Sequence, residues 1–334
     1  MIRKYAKQEL FIGAAGQKKL KESHAVILGV GALGSSTAEM LTRAGIKKLT
    51  IIDRDYVEYS NLQRQQLYTE EDAALKLPKA IAAKQRLEKI NSDVSIDCRI
   101  EDITGQNIET IIKDASIIID GMDNFETRLI INDAAVKMNK PYIFGACVGS
   151  YGLTYPVIPG TTPCLHCIIK HLPAQTETCD SVGVISPIVQ LVAAFQTAYA
   201  LKLLTGKAVE PLLISYDIWN MQKAEIHAAK LKDSHCPTCS QRAFPYLEAG
   251  NQTKTDILCG RDAIQIRPGV SHIYDLKALS QNIQHVVRNM IVNPYLLACE
   301  YEEHRIVLFK DGRAIIHGTS ERTRARAIYS RLVG

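Results

Sequence analysis

A glycine-rich turn, Gly29-Val-Gly31-Ala32-Leu-Gly34, follows an apolar run; an acid, Asp53, closes the next run, and Ser60-Asn61-Leu62-Gln63-Arg64-Gln comes shortly after. A turn of this kind presents backbone N–H groups and a helix N-terminus to a polyphosphate, and an acid about 20 residues on suits a ribose hydroxyl pair. The chemistry is that of a nucleotide, held either as a redox cofactor or as a substrate to be cut. The polar residues beyond Asp53 argue for cutting. Displacement at phosphorus needs cations and amides around the phosphates, and a hydride carrier does not.

Lys79 follows Leu-Pro in the first turn of an expected helix, where the helix dipole disfavours a cation. A bound polyphosphate would compensate, because a cation about 4 Å from an anion at an effective dielectric near 20 gains about 4 kcal/mol. The bland alternative is a solvated surface lysine, but Arg64 and Lys79 together point to phosphate. Asp123, beside Asn124, can hold Mg²⁺ through one carboxylate while phosphates supply other oxygens, or can merely cap the helix that begins near Phe125. Arg128, one turn into that helix, faces either the site or the solvent.

Cys164-Leu-His-Cys167 and Cys236-Pro-Thr-Cys239 are two Cys-X-X-Cys knuckles. Four thiolates close a tetrahedral structural zinc site with no position left for water, so this zinc would staple and not catalyse. The competing reading, one redox pair and one accidental pair, lacks the strand-then-helix setting of such motifs. Cys179, in a polar segment, is either a nucleophile or simply an exposed thiol, and Asp180 beside it opposes the lowered pKa a nucleophile needs. Cys98, Cys147, Cys259 and Cys299 sit mostly in apolar runs and read as core.

The elements that position these residues are legible as an alternation. Short β-branched runs at 25–30, 49–53, 94–100, 116–120 and 142–146 are separated by helical patterns at 34–44, 78–90 and 125–139. This predicts an α/β fold, a Rossmann-like, mostly parallel, doubly wound sheet with helices on both faces and ligands at the carboxyl ends of its strands. Beyond residue 148 the texture predicts an antiparallel extension. A boundary near residue 250 leaves residues 1–248 as the nucleotide domain with the cysteine site, and 252–334 as a small α+β appendage with strands at 295–301, 304–309 and 313–317 and helices at 275–290 and 320–331.

With 334 residues, 46% hydrophobic and 22% charged, the composition is that of a soluble globular protein. A net charge of +5 with interleaved signs argues against nucleic-acid binding. The charged N-terminus lacks a secretory signal, so the nine cysteines are expected in a reducing cytoplasm. The uncharged stretch 181–201 hints at a membrane span. Its glutamines, with Ser186-Pro187 as a start and Thr205-Gly206 as a stop, favour a helix buried in a core or subunit interface.

Taken together, the glycine turn, Asp53-Arg-Asp55, Ser60 to Gln65, Lys79, Asp123-Asn124 to Arg128 and the paired knuckles resemble the bacterial sulfur-carrier adenylyltransferases, relatives of ubiquitin-activating enzymes, over roughly residues 3–248. The resemblance implies that Gly29 to Gly34, Asp53 and Asp55 hold ATP, that Asn61, Arg64 and Lys79 grip its phosphates, and that Asp123 and Asn124 bind Mg²⁺ and the triphosphate. The C-terminal glycine carboxylate of a small ubiquitin-like sulfur carrier would attack the α-phosphorus and expel pyrophosphate. It also implies a homodimer with an N-terminal arginine acting in trans, and here Lys7 stands at that place. The expected carrier is the small subunit of molybdopterin synthase, with the thiamine-pathway carrier as alternative; a nicotinamide-dependent oxidoreductase is the reading from another class.

Overall fold

Five apolar runs become parallel neighbours in one sheet: β1 (His24–Leu28), β2 (Lys48–Ile52), β3 (Ser95–Arg99), β4 (Ile117–Asp120) and β5 (Tyr142–Val148). β6 (Tyr151–Val157), β7 (Leu212–Asp217) and β8 (Gln222–His227) extend it antiparallel, in the order β3-β2-β1-β4-β5-β6-β7-β8. Strands buried on both faces read as apolar runs, which is why β1, β2, β4 and β5 were legible, whereas β3 at the edge is only partly buried. The order reverses between β1 and β4, so the crevice outside their carboxyl ends is the switch point where ligands bind in such sheets.

The computed structural model describes residues 4–170, 182–248, 255–258, 262–268 and 273–333. The chain divides into two units, Met1–Glu70 with Pro78–Ala249, and Glu71–Leu77 with Gly250–Gly334. In the first, α1 (Ala6–Leu20) is kinked at Gly13, and α2 (Ala32–Ala44) follows the glycine turn. Past α3 (Glu70–Ala74), which apart from Glu70 belongs to the second unit, the first continues with α4 (Lys79–Ile90), α5 (Ile108–Ile112), α6 (Phe125–Lys137), α7 (Leu165–Ile169), α8 (Ser186–Leu204) and the short α9 (Pro245–Glu248). α5 and α6 close one face of the sheet through Ile108, Ile111, Ile131 and Ala134 over Val26, Leu28, Ile52 and Ile118. α2 packs against α8 through Leu33, Ile188, Val189 and Val192.

α8 is long and apolar enough to cross a membrane by length and composition. Its polar residues are engaged inside the protein: the Gln196 amide donates to the carbonyls of Asp120 (2.8 Å) and Ile143 (3.2 Å), and Gln190 donates to Ser36. The helix is capped by Ile185, one residue before the serine expected there, and ends at Thr205 with Gly206 at φ +80°.

The second unit carries a six-stranded antiparallel sheet, β9 (Thr255–Leu258), β10 (Ala263–Ile266), β11 (Arg288–Val292), β12 (Leu296–Tyr301), β13 (His304–Phe309) and β14 (Ala314–His317), ordered β11-β12-β13-β14-β10-β9. α10 (Leu276–Ile283) and α11 (Arg322–Val333) cover one face, with Leu276, Ile283, Ala325 and Ile328 packed on Ile264, Leu297, Ile306 and Ile316. The expected helix over 275–290 is therefore two elements. The Asp275 carboxylate caps α10 by accepting from Lys277 and Ala278 N–H, but after Ile283 the β-branched pair Val286-Val287 and a left-handed Asn289 (φ +50°) turn the chain into β11.

Candidate nucleotide site and cysteine cluster

The glycine turn is fixed by close approach. Gly29 has φ +86°, and a Cβ there would lie 2.6 Å from the Gly121 carbonyl oxygen; a Cβ at Gly34 would lie 1.9 Å from the Gly29 carbonyl oxygen, and one at Gly121 2.1 Å from that same atom. Three glycines thus lock the β1–α2 and β4–α6 turns together. Gly31 differs: a Cβ there would meet nothing nearer than the Gln65 amide nitrogen at 3.8 Å. Gly31 caps α2 without a side-chain bond, and no acid occupies the helix's first turn. That leaves an open helix N-terminus, with Ala32 at its start, suited to an anion.

Asp53 holds this turn from below. Its Oδ2 accepts Val30 N–H at 2.8 Å and its Oδ1 accepts Asp55 N–H at 2.8 Å, while the Tyr68 hydroxyl donates to the Val30 carbonyl at 2.6 Å. Burial pushes the Asp53 carboxyl up and the Lys79 charge pulls it back. Lys79 does occupy the first turn of α4, but its cation is compensated within the protein: Nζ is buried 3.3 Å from Asp55 Oδ2, and its backbone N–H donates to the Asp55 carbonyl at 2.9 Å.

Residues 58–65 form a short 3-10 turn over Tyr59–Asn61, in which the Asn61 side chain accepts Glu58 N–H at 3.1 Å and is almost wholly buried. Ser60 lends its carbonyl to the half-exposed Arg64 guanidinium, whose Nη1 donates at 2.9 Å, and the exposed Gln63 amide donates to the Val184 carbonyl at 3.3 Å; Leu62 is half-buried. Gln65, which stood in the motif without a role, is buried beside Gly31, and its side-chain oxygen has no hydrogen-bond partner. The Gln65 amide nitrogen is the group nearest Gly31, so this side chain borders the glycine turn from within the protein.

At the end of β4 the structure answers where Arg128, left between site and solvent, is placed. Arg128 is buried and engaged within the protein: its Nε donates to Asp120 Oδ2 at 3.0 Å, its Nη2 to the carbonyls of Met122 (2.6 Å) and Gly145 (2.8 Å), and its guanidinium lies 5.3 and 5.2 Å from the ring centres of Phe125 and Phe144. Asp120 also accepts from the Tyr142 hydroxyl at 2.8 Å and from Met122 N–H. A guanidinium with these partners already satisfied has little to offer a phosphate, so Arg128 shapes the rim from beneath. Asp123 is exposed, joined by the Asn124 amide at 3.2 Å, and Asn124 caps α6 by accepting Thr127 N–H at 2.9 Å. Lys7 is exposed on α1. Cys179, like Cys259, lies outside the described residues.

The four knuckle cysteines converge, their sulfurs all within 4.8 Å of one another, with Cys164–Cys236 and Cys167–Cys239 each at 3.6 Å. A tetrahedral zinc with Zn–S near 2.3 Å sets S–S distances of roughly 3.8 Å, so the donor set and spacing fit that ion. Among the described residues this is the one cluster of His, Cys, Asp or Glu that fits a metal. α6 positions both knuckles by consecutive residues, which the sequence did not reveal: Asn132 accepts Leu165 N–H at 2.8 Å, and Asp133 accepts the Thr238 hydroxyl at 2.6 Å and Tyr246 N–H at 2.9 Å. Among the described residues, Cys98 and Cys147 of the expected core thiols are half-buried and Cys299 is fully inside.

Comparison with known proteins places this geometry. A model of the ThiF family matches residues 5–238. The chain is 54% identical over 336 residues to the sulfur carrier protein ThiS adenylyltransferase of Bacillus subtilis, covering all of both chains. It is 32% identical to the sulfur carrier protein adenylyltransferase of Thermus thermophilus (68% of this chain, 86% of the relative) and 32% identical to the ThiS adenylyltransferase of Escherichia coli (71% and 94%). In structure, Escherichia coli MccB crystallised with ATP superposes with a TM-score of 0.61 at 24% identity, over 72% of this chain and 75% of that one, a likeness of fold.

Proposed function

The chain belongs to the ThiF family and is a sulfur-carrier adenylyltransferase, and we propose that its carrier is of the ThiS type. The observation that carries the carrier assignment is the Bacillus subtilis relative, which matches from end to end and is named for ThiS. The expectation of a molybdopterin-synthase carrier yields to that alternative. The nicotinamide reading yields with it, since the relatives are adenylyltransferases.

On this reading ATP lies across the switch point, with its phosphates at the N-terminus of α2 and its ribose near Asp53. The carrier's terminal carboxylate oxygen attacks the α-phosphorus, a new P–O bond forms, the bond to the β-phosphate oxygen breaks, and pyrophosphate leaves with the electron pair. Arg64 and Lys79 offset the charge that gathers on the leaving group, and Asn61 and Gln65 orient the phosphates. Opening the Lys79–Asp55 pair would let the lysine turn to the anion. Asp123 would give Mg²⁺ a single carboxylate, the ion taking its remaining oxygens from phosphate and water, and would supply charge neutralisation there. The cysteine set would hold a structural Zn²⁺, and Lys7 of a second copy would act in trans within a homodimer.

Carrier-dependent ATP–pyrophosphate exchange tests the reading. A ThiS-type carrier with a Gly-Gly terminus should support exchange and a molybdopterin-synthase carrier should do so poorly. The reverse preference would overturn the carrier assignment, and silence with both would overturn the reaction.

A further inference from the structure

Arg54 follows Asp53 directly and has no task in the phosphate chemistry. Its place at the rim of the sheet suggests one. β1, β2 and β3 are successive neighbours, with the glycine turn after β1 and Asp53 after β2, and Asp53 N–H donates to the carbonyl of Arg99, the last residue of β3, at 3.2 Å. A nucleotide with its phosphates on the turn and its ribose at Asp53 therefore points its base onward, over Arg54 and the segment that follows β3.

In that segment Asp102 takes hold of Arg54. The two oxygens of its carboxylate accept from Arg54 Nη1 at 3.3 and 3.4 Å, Oδ1 also accepts Ile103 N–H at 3.1 Å, and the Asp102 carbonyl accepts the Asn107 amide at 2.7 Å. On its other side Arg54 Nε lies 3.9 Å from Asp55 Oδ1, and Asp55 is the carboxylate that also holds Lys79. Burial disfavours the Arg54 charge, and Asp102 and Asp55 more than restore it. The guanidinium is thus clamped through its nitrogens while 19% of the side chain stays exposed. Guanidinium N–H groups point outward in the plane, so such partners fix the direction of the flat face, which stacks well on aromatic rings and bases. A mere brace between two loops would need only the charge. We propose that Arg54 is a specificity-determining residue whose guanidinium face stacks on the purine of ATP, with Asp102 as its positioning residue. The inference rests on the ATP placement proposed above and deepens it. A two-ring purine covers more of such a platform than a one-ring pyrimidine does, so the contact selects between them.

Affinities of the full chain for ATP, CTP and inorganic tripolyphosphate, measured by calorimetry, separate the contributions of base, ribose and phosphate. Arg54→Lys keeps a charge beside Asp102 and Asp55 and loses the plane. It should bind ATP about tenfold more weakly, the loss expected for one stacked base, CTP with a much smaller loss, and tripolyphosphate as the wild type does. Arg54→Leu combined with Asp102→Asn removes the plane without stranding a full charge at residue 102, and should show the same pattern if the lysine variant folds poorly. Unchanged ATP affinity in both variants, equal losses for ATP and CTP, or a loss shared by tripolyphosphate would overturn the proposal. Wild-type protein that binds none of the three would instead overturn the nucleotide reading itself, whereas normal wild-type binding beside an unaffected Arg54→Lys sinks only the stacking role.

Discussion

Lys79 Nζ and Asp55 Oδ2 sit 3.3 Å apart with both side chains largely buried, and the Lys79 backbone N–H bonds the Asp55 carbonyl as well. The cation is thus stored against a carboxylate at the edge of the proposed phosphate site, near Asp53 and the glycine turn. A triphosphate would compete for it with more negative charge than Asp55 carries. Lys79→Ala should slow carrier-dependent exchange by more than tenfold, the rate equivalent of about 1.4 kcal/mol of lost transition-state stabilisation, and Arg64→Ala should act in the same direction. Carrier affinity, measured by calorimetry, should hardly change. Weakened carrier binding with a normal rate would show that the two cations serve docking and not chemistry.

The glycines of the turn separate into two kinds, and substitution should expose the difference. Gly34→Ala would place a methyl 1.9 Å from the Gly29 carbonyl oxygen and should cost at least ~4 kcal/mol or prevent folding. Gly31→Ala has room, its Cβ meeting nothing nearer than 3.8 Å, so it should lose much less stability than Gly34→Ala yet bind ATP weakly, because the methyl stands where phosphate must approach the backbone. Equal melting losses in the two variants would refute this division.

How far the sequence could be read follows from the range of each interaction. β1, β2, β4 and β5 were visible because strands inside the sheet are buried, which leaves runs such as Ile117 to Ile119, while the edge strand β3 alternates and is only partly buried. The glycine turn and Asp53 were visible because they are local and ordered along the chain. Arg128 was left between site and solvent because a cation in the first turn of a helix looks the same whether it faces a ligand, the solvent or the core. Only Asp120 and Tyr142, brought from two other strands, decide it. Asn132 and Asp133 act through long-range bonds to Leu165, Thr238 and Tyr246 that leave no periodic trace, and β11 was absorbed into a helix because its left-handed Asn289 gave no local warning.

Burial pushes the Asp120 carboxyl up despite the Arg128 charge beside it, so the pair depends on its geometry. Arg128→Met keeps much of the volume between Phe125 and Phe144 but leaves a buried carboxylate without its cation. It should cost about 3–5 kcal/mol in urea unfolding, and adding Asp120→Asn should recover part of that loss. ATP affinity of the folded fraction should stay close to the wild type. A large loss of affinity at unchanged stability would restore Arg128 to the nucleotide site.

The cysteine cluster ties the segment that begins at Cys164 to the one that ends at Cys239, and Asp133 braces it through Thr238 at 2.6 Å. Metal analysis should find one zinc per chain. Chelation or Cys236→Ser should lower the melting temperature strongly, while Thr238→Val, which removes only the brace and strands the buried Asp133 oxygen, should cost about 1–3 kcal/mol. Full stability of Cys236→Ser in the presence of chelator would mean that the four thiols are packed without a metal.

His24 provides a test against pH. Its Nε2 lies 2.8 Å from the Thr50 hydroxyl and its Nδ1 3.1 Å from the Asp114 carbonyl, and burial, reinforced by Lys48, pushes its pKa below the ordinary 6.5. The folded chain then binds this proton less readily than the unfolded chain. The His24 contribution to stability is complete above pH 6.5 and is lost as the pH falls from there towards the folded value. Asp53 and Asp120 act oppositely, since their raised values favour the protonated folded state on acidification. The comparison is therefore made as a difference: between about pH 7.5 and 5.5 the wild type should lose more stability in urea than His24→Gln, which cannot take up the proton. Parallel pH curves for the two proteins would show that His24 stays as easily protonated inside the fold as outside it.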